Sequence, residues 1–308
     1  MNKKQHTDLI KQEVLKLGFL DCGIASPEPL NERGQFLASW LKNGYNGTMS
    51  YMENHFDIRV NPHQFFPGAN SVIMVIISYH STEKQKDPAA PKISKYVYGR
   101  DYHKVIRKKL KQLESVVTGI SDQAETRIFV DTSPVMEKAM ARRAGLGWTG
   151  KHSVLLSRNY GSFFFIGGIM TNLELPFDKP EKESCGNCTL CIDACPTGAI
   201  VAPYVLDARK CISCLTIGHK GESLPEEFRD KMSGYVFGCD ICQDVCPWNK
   251  NVKPHIDSDF TPETELLEMT RDDWHEMDED RFNDLFKDSA VKRSKYEGIR
   301  RNLNYLKI

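Results

Sequence analysis

Residues 185–196 read Cys-Gly-Asn-Cys-Thr-Leu-Cys-Ile-Asp-Ala-Cys-Pro, and their spacing decides how the second half of the chain folds. Cys185, Cys188, Cys191 and Cys195, followed by Pro196, fit the C-x2-C-x2-C-x3-C-P run that wraps a cubane iron–sulfur cluster. So tight a turn brings three thiolates to one cluster. The fourth, before the proline, points to the other cluster of a two-cluster module. A partner run follows: Cys239, Cys242 and Cys246-Pro247 repeat the last three positions, with Val236 where a first cysteine would fall. Two cubanes take eight thiolates; these runs give seven, and Cys211 or Cys214 can give the eighth. Zinc would use paired CxxC knuckles, and a disulfide scaffold would need a small secreted chain. Neither suits this pattern.

Of the 10 cysteines only Cys22 lies outside 185–246. That clustering points to metal in a reducing compartment. The length of 308 residues suggests about two domains. With 41 basic against 41 acidic residues the molecule as a whole does not attract a polyanion, so any such surface must be local. The N-terminus has no apolar signal region. The longest apolar runs, Val72–Ile77 and Phe163–Met170, are too short to span a bilayer. A cytoplasmic protein without membrane contact is expected.

Apolar periodicity predicts helices over 7–20, around Phe36–Leu41, over 101–120 and over 134–144. Strands are predicted over 71–79, 127–130 and 162–170, the first a β-branched run buried on both faces. Gly167 and Gly168 leave room there beside something bulky, or mark a bulge. This order predicts an α/β (or α+β) domain over 1–178. Pro176, Pro180 and the charged run 178–183 mark a junction to a ferredoxin-like module over 179–254. A helical segment follows over 255–308, acidic to residue 288 and basic beyond. Residues 287–307 hold seven Lys or Arg against Asp288 and Glu297, so 7 − 2 gives +5. The outer face of helix 101–120 carries Lys104, Arg107, Lys108, Lys109 and Lys111, either a solvated surface or one that meets phosphates.

Asp131-Thr-Ser-Pro134 lies just past a strand end, where open α/β sheets bind ligands. The same residues also read as a helix cap, with Pro134 in the first turn. Gly145-Leu-Gly-Trp-Thr-Gly-Lys151 permits close backbone approach to a ligand, but it is not a Walker loop. There is no GxGxxG to support a nicotinamide cofactor and no HExxH, and the nine histidines are scattered. Clusters alone are one-electron wires, and a pure carrier would not need the roughly 180 residues that precede them. The residues alone imply a redox enzyme with an unidentified second centre.

Five segments taken together say more: Val130–Lys138, Ala144–His152, Cys185–Pro196, Arg209–Cys214 and Gly238–Trp248. Over nearly the whole chain they resemble the epoxyqueuosine reductase family, cobalamin-dependent two-cluster enzymes related to reductive dehalogenases. The resemblance implies removal of the epoxide oxygen from epoxyqueuosine at the wobble position of tRNA, with the anticodon stem-loop as partner. Electrons would pass from an external low-potential donor through two 4Fe–4S clusters to a base-off cobalamin. It implies Asp131 as the acid that protonates the leaving oxygen, its pKa raised by burial against the corrin, and Lys138 as a second proton source or a substrate-orienting group. Arg59, Trp148, Lys151, His152, Ser153 and Ser213 are the implied cobalamin contacts. Cys185, Cys188, Cys191 and Cys246 fall to one cubane and Cys195, Cys211, Cys239 and Cys242 to the other, which leaves Cys214 spare. A monomer is expected. Family members often continue into a HEAT-like repeat, whereas this chain ends at Ile308 within what looks like its first helix, as a naturally short member or a truncated one. A dehalogenase-like reductase of a small molecule and a nonenzymatic ferredoxin-like carrier are the alternative readings.

Overall fold

Strand Ser71–Ser78 is buried at every residue, and the computed structural model, which describes residues 2–308, shows why. The strand lies inside a four-stranded sheet ordered Asp21–Ala25, Ser71–Ser78, Phe164–Thr171, Thr126–Phe129. One face is covered by helices Lys3–Lys16 and Tyr102–Thr118, which contribute Ile10, Val14, Ile106, Leu110 and Leu113. Phe65, Phe129, Met140 and Leu155 cover the other face, with helix Glu137–Arg143 among its elements. The expected helix-and-sheet layering is therefore present. All neighbouring strands, however, are antiparallel. An antiparallel strand covered on both faces loses the usual polar alternation and reads like a parallel one. The ligand rule for open parallel sheets consequently does not apply to Asp131.

Boundaries moved for local reasons. The helix expected over 7–20 runs Lys3–Lys16: the Asn2 and Gln5 side chains cap each other's backbone N–H groups, and Gly18 at φ +85° follows its end. Strand Asp21–Ala25 was not expected, because Asp-Cys-Gly-Ile-Ala offers neither alternation nor a β-branched run. It fits through Gly23, where an added Cβ would lie 2.0 Å from the Ala144 carbonyl oxygen. Gly168 is likewise filled by a neighbour, since a Cβ there would lie 2.4 Å from the Phe129 ring. The helix expected over 134–144 begins only at Glu137, and its cap residue Met136 makes no side-chain capping bond. Asp131, Thr132 and Ser133 therefore cap nothing, which removes the bland explanation for them.

The two cysteine runs lie on short helices, Leu190–Asp193 and Ile241–Asp244. Strand Lys92–Ile93 pairs in parallel with Tyr235–Phe237 and stitches the first half of the chain to the cysteine-rich half. The C-terminal helix Lys295–Leu306 buries Ile299, Leu303 and Tyr305, and Asn302 donates to the carbonyls of Thr216 and Val236, each at 2.8 Å. With Trp274, Phe282 and Phe286 of the acidic stretch it forms a third core around Ile93 and Val97. Much of the basic tail is occupied structurally: Arg300 donates to the His275 carbonyl and Arg301 to that of His219. On helix Tyr102–Thr118, Lys109 pairs with Asp257 at 3.0 Å, while Arg107, Lys108 and Lys111 face solvent. Among the described residues no helix is long and apolar enough to cross a membrane.

Gly23→Ala forces a methyl group into the Ala144 backbone, so the variant should lose about 1–3 kcal/mol of stability. In denaturant titrations the midpoint should fall with the slope unchanged.

Candidate functional site

Asp131 follows strand Thr126–Phe129 by two residues and sits in the left-handed region at φ +47°. Aspartate tolerates that conformation better than most side chains. The turn is held by Thr132 N–H donating to the Val130 carbonyl at 2.6 Å and by Asp131 N–H donating to Glu137 Oε1, also at 2.6 Å. The carboxylate Oδ2 then accepts from Tyr102 Oη at 2.9 Å and lies 2.8 Å from His103 Nε2. Arg293 stands 3.9 Å away. The other ring nitrogen, His103 Nδ1, is 2.7 Å from Asp101 Oδ1. That same oxygen accepts the backbone N–H of His103 at 3.0 Å and caps helix Tyr102–Thr118. Cap, ring and acid thus form one chain, Asp101–His103–Asp131.

This chain sets the charges. Burial pushes the Asp131 carboxyl up, but hydrogen bonds from His103 and Tyr102 and the charges of His103 and Arg293 outweigh it and hold the group below its ordinary range. So held, Asp131 is a carboxylate, whereas the raised pKa that the resemblance implies is that of an acid buried against a corrin. Burial lowers His103, yet bonds to the two carboxylates overcome that and lift it from 6.5 to about 9. Glu137 is pushed from 4.5 to about 8 by burial and by the neighbouring charge of Asp131. Lys138 is drawn below its ordinary value by burial and by Arg33, and its Nζ donates to the Ser153 carbonyl at 2.9 Å. Asp131 and Lys138 are surrounded by protein while their tips remain open to a cleft, and 42% of the Asp131 side chain is accessible.

The cleft consists of two cavities of about 760 and 720 Å³ that meet at Tyr51, Asp131 and Arg293. The first is lined by Arg33, His55, Arg59, Glu137 and Lys138, and suits an anionic or phosphate-bearing ligand. The second is lined by Tyr96, Tyr102, His103, Ser213, Cys214 and Lys295. Arg59 and Ser213 therefore stand on cleft walls, and Ser153, at φ +66°, is tied to the cleft through Lys138. Trp148 and Lys151 do not line it. Trp148 is fully buried against Trp248 and packs with Cys246, and Lys151 Nζ donates to the carbonyls of Gly186 and Cys188, shaping the first cysteine loop. His152 is buried with Nε2 unpartnered, and burial lowers its pKa to about 4.

The thiols fall into two neighbourhoods. After burial, the charges that act most on Cys191 are those of Cys246, Cys185 and Cys188, and Cys246 feels Cys185 and Cys188 in turn. Cys242 feels first Cys211, Cys239 and Cys195. A donated S–H from Cys214 holds Cys211 down, to about 7. Thiols gathered in this way are the donor type that iron–sulfur clusters take.

Sequence reasoning had missed Tyr102, His103, Asp101, Glu137 and Arg293. The one local signal was Asp101-Tyr-His103 at a helix start, a cap followed by two side chains of the first turn. Nothing local placed that turn beside Asp131.

Residues 184–249 match the family model described as a 4Fe-4S double cluster binding domain. With the α/β layer and its cleft this defines an iron–sulfur oxidoreductase. Residues 59–132 match the model described as Epoxyqueuosine reductase QueG, DUF1730. The epoxyqueuosine reductase of Cellulophaga algicola is 50% identical over 305 residues, 99% of each chain. That of Escherichia coli is 40% identical over 298 residues, 95% of this chain and 78% of that one. The chain belongs to the epoxyqueuosine reductase family. An epoxyqueuosine reductase solved with an epoxyqueuosine-modified tRNA-Tyr stem loop superposes with a TM-score of 0.92 at 30% identity, covering 99% of this chain and 81% of that one. The enzyme from Bacillus subtilis, captured with an aspartate-bearing catalytic loop swung out of its active site, gives 0.88 at 28%, covering 99% and 82%. A catabolic reductive dehalogenase, at 0.50 and 16%, covering 98% and 38%, shares the fold alone.

His103 stabilises the fold in its charged form, because its folded pKa of about 9 exceeds the unfolded 6.5. That contribution is complete below pH 6.5 and lost as pH rises through about 9. Asp131→Asn should reduce this alkaline loss in unfolding titrations across that window. The depressed Asp101 and Asp131 carboxyls contribute in the opposite sense, losing their part as pH falls below the ordinary carboxylate range.

Proposed function

We propose that this chain reduces epoxyqueuosine to queuosine at the wobble position of tRNA. The observation that carries the reading is the shared wall: the Asp131 turn and the Cys211–Cys214 segment face one continuous cleft. Cys195, Cys211, Cys239 and Cys242 would hold the cluster next to the cleft. Cys185, Cys188, Cys191 and Cys246 would hold the outer one, filled by an external low-potential donor. Base-off cobalamin bound in the cleft would supply a strongly reducing cobalt centre for the epoxide carbon. The size of the two cavities and Arg59 and Ser213 on their walls support that choice.

The chain's own residues do the rest. Asp131 protonates the leaving oxygen, because an alkoxide is a poor leaving group. Tyr102 and Glu137 fix its carboxylate and its amide. Arg33, Lys138 and Arg293 draw phosphate-bearing ligands into the cleft.

The test is a reconstituted assay on stem-loop RNA bearing epoxyqueuosine, read by mass spectrometry of nucleosides. Formation of queuosine is the expected result. Turnover of small organohalides with none on RNA would favour the small-molecule reading instead. Asp131→Asn should lower kcat about 10²–10⁴-fold. Iron content should fall from about eight to about four per chain in either Cys239→Ala or Cys246→Ala and stay near eight in Cys214→Ala.

A further inference from the structure

Taking an epoxide oxygen away as water, with an alkene left behind, consumes two electrons and two protons. The electrons come from the external one-electron donor that the reductase activity requires. The protons need a source, because Asp131 holds none at rest. Oδ2 of Asp131 meets two hydrogen-bond donors, and they are not equivalent. Burial and the charge of Asp131 bind the Tyr102 proton more tightly than in a free phenol, so Tyr102 orients and does not give. His103, by contrast, presents Nε2 at 2.8 Å while Asp101 grips Nδ1 at 2.7 Å. Glu137 and Lys138 line the first cavity too, but Glu137 bonds the amide of Asp131 and Lys138 the Ser153 carbonyl, so neither meets the Asp131 carboxylate.

Resting on the reading of the cleft just given, we infer that His103 is the relay that recharges Asp131 with each proton the reaction consumes. The proton on Nε2 passes to Oδ2 of Asp131, a half-turn of the carboxyl presents it to the cleft, and it leaves on the substrate oxygen. Asp101 keeps the other proton on Nδ1, so the neutral ring has its bare nitrogen towards Asp131. His103 also lines the second cavity, from which water returns a proton to Nε2. Two such cycles match the two electrons and release one water. His103 is thus a positioning and proton-supplying residue that acts through Asp131 and touches no substrate.

The experiment uses the reconstituted, cofactor-loaded enzyme and the epoxyqueuosine-bearing stem loop. In His103→Ala, kcat should fall about 10²-fold with KM for the RNA little changed, and imidazole added to the buffer should restore about tenfold of it. Asp131→Asn should not respond to imidazole. A purely structural role would give no chemical rescue. His103→Gln serves as the second variant should the alanine form melt early. A readout independent of turnover comes from ¹⁵N spectra of the cofactor-free protein: at neutral pH both ring nitrogens of His103 should carry protons, and Asp131→Asn should move chiefly Nε2. Wild-type turnover with a His103→Ala rate within twofold, or a loss imidazole does not recover in a stably folded variant, would overturn the relay alone. An inactive wild type would sink both the relay and the reading beneath it.

Discussion

Strand Ser71–Ser78 has no face left for water, and that constraint shapes everything around it. A strand apolar on both sides requires a layer against each, and the chain supplies two helices on one side and the Glu137–Arg143 layer on the other. The second layer is what brings Glu137 and Lys138 to the cleft, while the first delivers Tyr102 and His103 from the other side. The acid site is therefore assembled by elements packed on opposite faces of one sheet, meeting at the end of strand Thr126–Phe129. Its geometry follows from the burial of residues that never touch a ligand.

The charges of the site show which effect wins when burial and hydrogen bonding oppose each other. Burial alone favours a neutral Asp131, as it does for Glu137 close by. The two groups differ in what they accept: Glu137 takes one backbone N–H, whereas Asp131 takes a hydroxyl and an imidazolium. Charge-assisted bonds are about twice as strong as neutral ones. Two carboxyls a few residues apart are consequently shifted in opposite directions, Asp131 down and Glu137 up.

What could be read in advance follows how local each signal is. The cysteine runs were legible because a ligand spacing is written within a few residues, and the long strands because a β-branched run is local too. Asp131 stood out by its place after a strand and by resemblance. The antiparallel pairing was hidden because double-sided burial erases the alternation that would have revealed it. Strand Asp21–Ala25 depends on Gly23 fitting against Ala144, more than a hundred residues away. His103 looked like one of nine scattered histidines, since Asp101 beside it reads as an ordinary helix cap and Asp131 is brought to it only by the packing of helix Tyr102–Thr118 against the sheet. Trp148 and Lys151 come from a loop whose glycines promised ligand approach. Its short hairpin turns both towards the cysteine loops.

One oxygen of Asp101 both begins a helix and grips an imidazole, while its own N–H is tethered to the Asp288 carbonyl at 2.6 Å. Helix ends fray before helices melt. Warming that loosens the first turn of Tyr102–Thr118 will therefore let the ring rotate out of line while the rest of the molecule is still intact. Activity should then be lost below the midpoint of global melting, and weakening the Asp101–Asp288 contact should lower the temperature at which that loss begins.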